Sequence, residues 1–176
     1  MGERAVEFER ALHGPEERMP PEPTGSRLDD AWQRWMADPR IRRAWNWGAP
    51  ASVLAVAAAT RLVGLDHPHQ IVFDETYYVK DAYTLSHLGY EARWPDKANE
   101  SFAAGDPDVY LTDGSFIVHP PLGKWIIAAG MAVFGTDSAF GWRLGIDVLG
   151  ILLVALTMLV AKRLFASTTL AVLAGG

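Results

Sequence analysis

Phe140-Gly-Trp-Arg-Leu-Gly-Ile-Asp-Val-Leu-Gly-Ile-Leu-Leu-Val-Ala-Leu-Thr-Met-Leu-Val-Ala-Lys-Arg163 is the stretch whose reading decides the fold class. Only Arg143 and Asp147 interrupt its apolar run, residues 148–161 carry no charge, and Lys162-Arg163 closes it. A helix needs about 20 predominantly apolar residues, at roughly 1.5 Å each, to cross the hydrocarbon layer of about 30 Å. The stretch meets that requirement and predicts a transmembrane helix over 138–162.

A companion span is expected over 45–65. Its centre, Ala49 to Ala59, is uncharged, and Trp45 and Trp47 stand where an interfacial aromatic belt belongs. Arg61 lies close enough to the far end to reach the headgroups. The stretch is rich in Ala and only moderately hydrophobic, so a buried helix of a water-soluble fold competes with this reading. Residues 166–176 begin another apolar run, too short to cross, so the sequence reads as cut inside a larger protein.

The totals alone describe something else. A chain of 176 residues, 49% hydrophobic and 21% charged, looks like one soluble domain. Position overturns that, because charged blocks alternate with apolar ones. Residues 1–44 hold nine acids and eight bases, with Pro15, Pro20, Pro21 and Pro23 among the first 31. That composition predicts a charged, partly disordered cytoplasmic tail. Within it, residues 29–43 allow a short amphipathic helix with Trp32 and Trp35 on one face. The charged, Pro-bearing first 20 residues do not read as a cleavable signal peptide. No Cys means no disulfide framework or thiolate metal site. The net charge of −5 leaves no basic footprint for nucleic acid, and neither glycine-rich nucleotide motif is present.

Orientation follows from positive charge, which favours the cytoplasm. Arg40, Arg42 and Arg43 precede the first span, and Lys162-Arg163 follows the second. An even number of crossings therefore lies between them. Residues 66–137 become one extracytoplasmic loop, with eleven acids against four bases and a charge of −7. The apolar run 122–135 is then too short to cross and is expected along the interface.

A loop that long is uncommon without structure or function. Residues 75–88 read as a helix, with Tyr78, Ala82 and Leu85 on one face, Asp74 as a plausible N-cap and Gly89 as its stop. Asp113-Gly114, between Val109-Tyr-Leu-Thr112 and Ser115-Phe-Ile-Val118, is a two-residue signal for a short β-hairpin. The pair Asp74-Glu75 reads two ways: as a carboxylate acting as general base at the membrane surface, or as a helix cap. His119 is either a site residue or a loop histidine before a Pro-Pro turn. Lys124 is either a site cation or a snorkelling lysine. Arg143, inside a span, calls for a partner or ligand, since burying a charge there costs roughly 2.5–3.5 kcal/mol. Asp147 is a candidate partner at i,i+4. Asn99-Glu-Ser101 matches a glycosylation acceptor, a pattern common by chance. Asp106 and Asp108 offer no credible metal ligand set.

Five segments in order carry a resemblance: Arg61-Leu-Val-Gly-Leu65, Phe73-Asp-Glu-Thr-Tyr-Tyr78, His119-Pro-Pro-Leu-Gly-Lys124, Phe140-Gly-Trp-Arg-Leu144 and Lys162-Arg-Leu-Phe165. Together they resemble the N-terminal part of the protein O-mannosyltransferase family, over roughly residues 45–176. The resemblance implies a mainly α, polytopic fragment of the GT-C glycosyltransferase fold at the plasma membrane. It implies transfer of mannose from polyprenyl-phosphate-mannose to Ser/Thr hydroxyls of secreted proteins. Asp74 then resembles the base of an inverting transfer, and Glu75 its neighbour in structure or acceptor placement. His119, Lys124 and Arg143 resemble the donor-phosphate side of the site. No cofactor or metal is implied. The implied partners are the bilayer, the lipid-linked donor, acceptor proteins and the secretion machinery. The fragment alone is expected to be inactive, because such a site draws on later helices. Two further readings remain at this point: a GT-C enzyme with a lipid or glycan acceptor, and a non-enzymatic two-span membrane protein.

Overall fold

The computed structural model describes residues 25–176. The chain divides into two units, with the boundary after Ala44. The tail expected to be partly disordered lies, up to residue 24, outside the described residues. The described part of that tail carries helix α1, Arg27–Ala37, which overlaps the short amphipathic helix expected over 29–43. A capping box starts it. Ser26 Oγ accepts from the Asp29 amide, and Asp29 Oδ2 accepts from the Ser26 amide at 2.9 Å, so two free helix-end donors are satisfied at once.

Helix α2 spans Pro39–Leu62 and crosses the unit boundary. The second unit continues through α3 (Glu75–Leu88), α4 (Ala98–Ala103), α5 (Leu122–Phe134), α6 (Ala139–Phe165) and α7 (Thr168–Gly175). Among the described residues, one helix is long and apolar enough to cross a membrane, α6. Its leucines stay largely uncovered, with Leu153 65% exposed. α2 has the length at 24 residues, but Ala, Ser52, Thr60 and Gly48 dilute its hydrophobicity.

α5 packs on α3 and α6, and α7 packs back on α6. α5 and α6 meet through glycine: a Cβ on Gly130 would collide with the Gly141 carbonyl oxygen, and one on Gly145 would lie 2.5 Å from Ile126 Cγ2. Only residues without side chains let two backbones come that close. The loop's own core joins Ile71, Val79, Ala82, Tyr83 and Phe102 to Ile127, Met131 and the fully buried Trp142. Rings crowd around Tyr83: Phe102 meets it edge-on at 5.5 Å, and Trp94 and Tyr110 close the cluster. Such pairs add about 0.5–1.5 kcal/mol beyond the area they bury. This core fixes α3 against the head of α6.

Three expectations need correction. The β-hairpin does not form, and no strand occurs among the described residues. The backbone groups it would use go elsewhere: Arg93 N donates to Asp113 O at 2.9 Å, Leu111 N to Arg93 O at 2.8 Å, and Ser115 N to Glu91 O at 2.7 Å. The segment after α3 thus claims the 111–115 edge, while Phe116, Ile117 and Val118 stay exposed. α3 does not bury a single face; Val79, Lys80, Asp81, Ala82, Tyr83 and Thr84 are all buried, because the loop wraps it. Asp74 stands at the N-cap position, but its side chain makes no capping bond, since its backbone is already helical (φ −66°, ψ −20°).

Candidate active site

The site begins with a backbone turn. Phe73 holds φ +49°, a left-handed conformation that a bulky residue adopts only under constraint. Such strain costs about 1–3 kcal/mol and tends to gather at functional positions. Here the constraint comes from the next residues. Glu75 N donates to Val72 O, and Glu75 Oε2 accepts from Val72 N, both at 3.0 Å. Glu75 therefore does the local capping, and the neighbouring Asp74 carboxylate is left exposed.

Glu75 is also gripped from the far end of the loop. Arg143 Nε donates to its Oε1 at 2.6 Å and Nη2 to its Oε2 at 3.0 Å, a two-pronged contact. The same guanidinium donates to Leu65 O (2.9 Å) and Gln70 O (3.2 Å). Four of its five N–H groups are thereby used. The partner of Arg143 is Glu75 and not the expected Asp147. The pair ties the entry of α3 to the head of α6 and holds Asp74 in place between them.

Lys124 is 2% exposed and lies between two acids. Its Nζ donates to Asp81 Oδ2 at 3.0 Å, and Glu91 Oε2 sits 2.7 Å away as an ion-pair contact off the hydrogen-bond angle. Burial works against the charge on Lys124, but the two carboxylates outweigh it and hold the amine above its ordinary pKa. For Asp81 burial wins, and its carboxyl is pushed above the usual carboxylate range despite Lys124. Two acids sharing one base in a buried site leave an excess of negative charge.

His119 is exposed and tilts its ring against Tyr78, with centroids 5.3 Å apart. It faces a cleft of about 370 Å³ that Asp74, Tyr77, Asp81, Ser115 and Phe116 also line. A second cleft of about 330 Å³ is bounded by Asp74, Glu75, Ile127, Trp142, Arg143 and Ile146. Asp74 and Tyr78 belong to both. Of the residues singled out in the sequence, Asp74, His119 and Lys124 share the first cleft, while Asp74, Glu75 and Arg143 share the second.

Asp81 and Glu91 escaped the sequence reading, and Tyr78 entered it as part of a helix face and a motif without a role at the site. Asp81 carried a signal, since it lies two helical turns beyond Asp74 on the same face. Glu91 carried none; only the folded loop brings it to Lys124. Asn99 Nδ2 donates to Thr76 Oγ1 at 3.2 Å and anchors α4 to α3. Asp108 accepts from Tyr83 Oη at 2.7 Å.

Residues 118–175 match the family described as dolichyl-phosphate-mannose-protein mannosyltransferase. That stretch contains His119, Lys124 and Arg143. The chain is 32% identical over 138 residues to a polyprenol-phosphate-mannose–protein mannosyltransferase of Mycolicibacterium smegmatis, covering 77% of this chain and 23% of the relative. A protein of the same name from Mycobacterium tuberculosis is 31% identical over 139 residues, with the same coverage of each chain. One from Corynebacterium glutamicum is 31% identical over 128 residues, 71% of this chain and 22% of its own length. The chain thus spans less than a quarter of the length of these relatives. No solved structure matches. The resemblance carried by the five motifs holds, and the proteins it points to are glycosyltransferases.

Proposed function

We infer, from a chain similar to protein mannosyltransferases over 77% of its length, that it carries the catalytic loop of a polyprenyl-phosphate-mannose–protein mannosyltransferase. The observation that carries this is the state of Asp74: exposed, uncapped, flanked by two clefts, and braced by a neighbour whose own carboxylate is fully engaged. A general base must be free to reach the proton it removes. In the proposed inverting step, the acceptor Ser/Thr oxygen forms a bond to mannose C1 as its proton passes to Asp74. The C1–O bond to phosphate breaks, and polyprenyl phosphate leaves with the electron pair.

The remaining groups divide by what occupies them. Arg143 and Lys124 are neutralised by carboxylates, which suits them to holding the loop's shape. His119 is open to the cleft and is the group proposed to face the donor phosphate; the one unused Nη1 hydrogen of Arg143 is the second. Phe73, Phe116, Ile117 and Trp125 leave an exposed apolar rim around the site. Such a rim suits a site that meets a lipid-linked donor at the bilayer surface. The proposed topology puts the N-terminal tail in the cytoplasm, spans at 45–65 and 138–162, and the loop 66–137 outside, as charge requires. Helices α3 and α5 then lie near the outer interface.

The test is donor and acceptor choice by the gene-length protein in membranes. With radiolabelled polyprenyl-phosphate-mannose, label is expected on a Ser/Thr peptide with inverted configuration at C1. Transfer to a lipid or glycan acceptor and not to the peptide supports the alternative GT-C reading. Absence of any transfer, with the protein folded and inserted, supports the non-enzymatic one.

A further inference from the structure

A short stretch of backbone beside Asp74 is left open. Asp113 O accepts from Arg93 N and Ser115 N donates to Glu91 O, on either side of an antiparallel bridge between Ala92 and Gly114. The partner segment starts just after Gly89, where α3 ends, so this pairing stops at Ser115. Among the described residues, the amides of Phe116, Ile117 and Val118 donate to no protein group. The carbonyls of Ile117 and Val118 accept from none, and that of Phe116 meets only Ser115 Oγ at 3.5 Å. All three residues are exposed. Phe116 and Val118 line the cleft that holds Asp74, and Ile117 does not, which is the alternation of an extended chain. Backbone groups alternate in the same way. Asp113 and Ser115 turn theirs toward residues 91–93, so Phe116 and Val118 turn theirs to the open side.

We propose that an extended acceptor polypeptide adds to this edge as a strand, exchanging backbone hydrogen bonds with Phe116 and Val118, and that the pairing presents its Ser or Thr to Asp74. The inference rests on the transferase reading above and states how that site holds its acceptor. Position selects this occupant, because Asp74, Phe116 and Val118 line one cleft and a chain on the edge runs past the carboxylate. The chemistry of the edge selects it too. A row of unpaired N–H and C=O groups is a template for another backbone. A bilayer is a poor cover for the same row, since hydrocarbon offers those groups no partner. Side chains stand across the plane of such bonds, so pairing leaves the apolar rim in place. The charge of −7 on residues 66–137 favours a neutral or basic chain over an acidic one. Strand addition draws its affinity from main-chain bonds and leaves selection to the side chains that meet pockets. Here the one side chain selected is the hydroxyl that reaches Asp74.

The test is an N-methyl scan of the acceptor. The gene-length protein in membranes is given polyprenyl-phosphate-mannose and a short peptide with one central Ser and lysines at both ends. The amides flanking the Ser are then N-methylated one at a time. One backbone hydrogen bond is worth about a twofold to tenfold change in affinity. KM is expected to rise by about that factor at alternate residues, with kcat retained and the residues between them tolerant. Val118→Pro removes one donor from the edge and is expected to raise KM for the unmodified peptide by a similar factor, with insertion and thermal stability held. The scan leaves the enzyme unaltered, so it decides even where that variant fails to fold. A flat scan, or an equal penalty at every position, overturns the proposal, while transfer to the unmodified peptide leaves the transferase reading standing. An alternating scan with KM unchanged in folded Val118→Pro also overturns it, because the paired edge then lies elsewhere in the protein. Absence of transfer to the unmodified peptide removes the transferase reading and this inference together.

Discussion

Asp74 and Glu75 are adjacent in sequence and opposite in circumstance. Glu75 holds Val72 and Arg143; Asp74 holds nothing. The sequence presents both as a pair of acids and cannot assign them, because the partner that distinguishes them, Arg143, is 68 residues away. The same limit hid the role of Lys124. Its surroundings imply that Lys124→Met strands Asp81 and Glu91 as buried, unpaired charges. Breaking such a group costs about 3–5 kcal/mol, and thermal denaturation in detergent should show a loss of that order. Tyr83 gives a pH-dependent counterpart. Burial and the bond to Asp108 raise its hydroxyl pKa above the ordinary value of 10.0. The folded state therefore keeps the proton while the unfolded chain releases it. The stabilisation is complete below pH 10 and is lost as pH climbs toward the raised folded value. Tyr83→Phe is expected to lower stability by about 1.5–3 kcal/mol at neutral pH, for one hydrogen bond to a carboxylate. It should also flatten part of the alkaline decline, measured by denaturation across that range.

Among the elements, what was legible depended on where each one's partners lie. α3 spans the residues expected and ends where local chemistry says, with Gly89 in the left-handed conformation (φ +80°) that closes a helix, although its start is not capped by Asp74. α5 and α6 announced themselves by apolar length. The hairpin at Asp113-Gly114 did not form, because its turn signal is local but its edge was taken by Glu91 and Arg93. The six-residue α4 is too short to carry a periodic pattern. Close packing of α5 on α6 was equally invisible, and it makes a paired prediction. Gly130→Ala forces a Cβ into the Gly141 carbonyl, so it should destabilise by about 1–3 kcal/mol. Gly123→Ala, in the same helix with nothing within 4 Å of the added carbon, should be neutral or stabilising. Equal effects of the two in thermal denaturation would show that the helix contact is looser than described.

On the scale of the whole molecule, composition misled and position informed. The average of a charged tail, an acidic loop and an apolar helix imitates a soluble domain. Sorting the same residues along the chain recovers a mainly helical chain, with one helix long and apolar enough to cross a membrane among the described residues, and its likeness to protein mannosyltransferases. The contacts among the motif residues came only with the fold. Three basic residues that look alike in sequence separate into two ion-paired braces, Arg143 and Lys124, and one open imidazole, His119. The loop is thus a frame of buried and half-buried ion pairs that, of the adjacent acids Asp74 and Glu75, engages Glu75 and leaves the Asp74 carboxylate free. That claim is tested most directly by Asp74→Asn in the gene-length protein, assayed for mannose transfer to a Ser/Thr peptide alongside membrane insertion. A general base contributes about 10²–10⁴-fold, so transfer should fall by that much while insertion and thermal stability hold. Near-normal transfer by the variant would contradict the account.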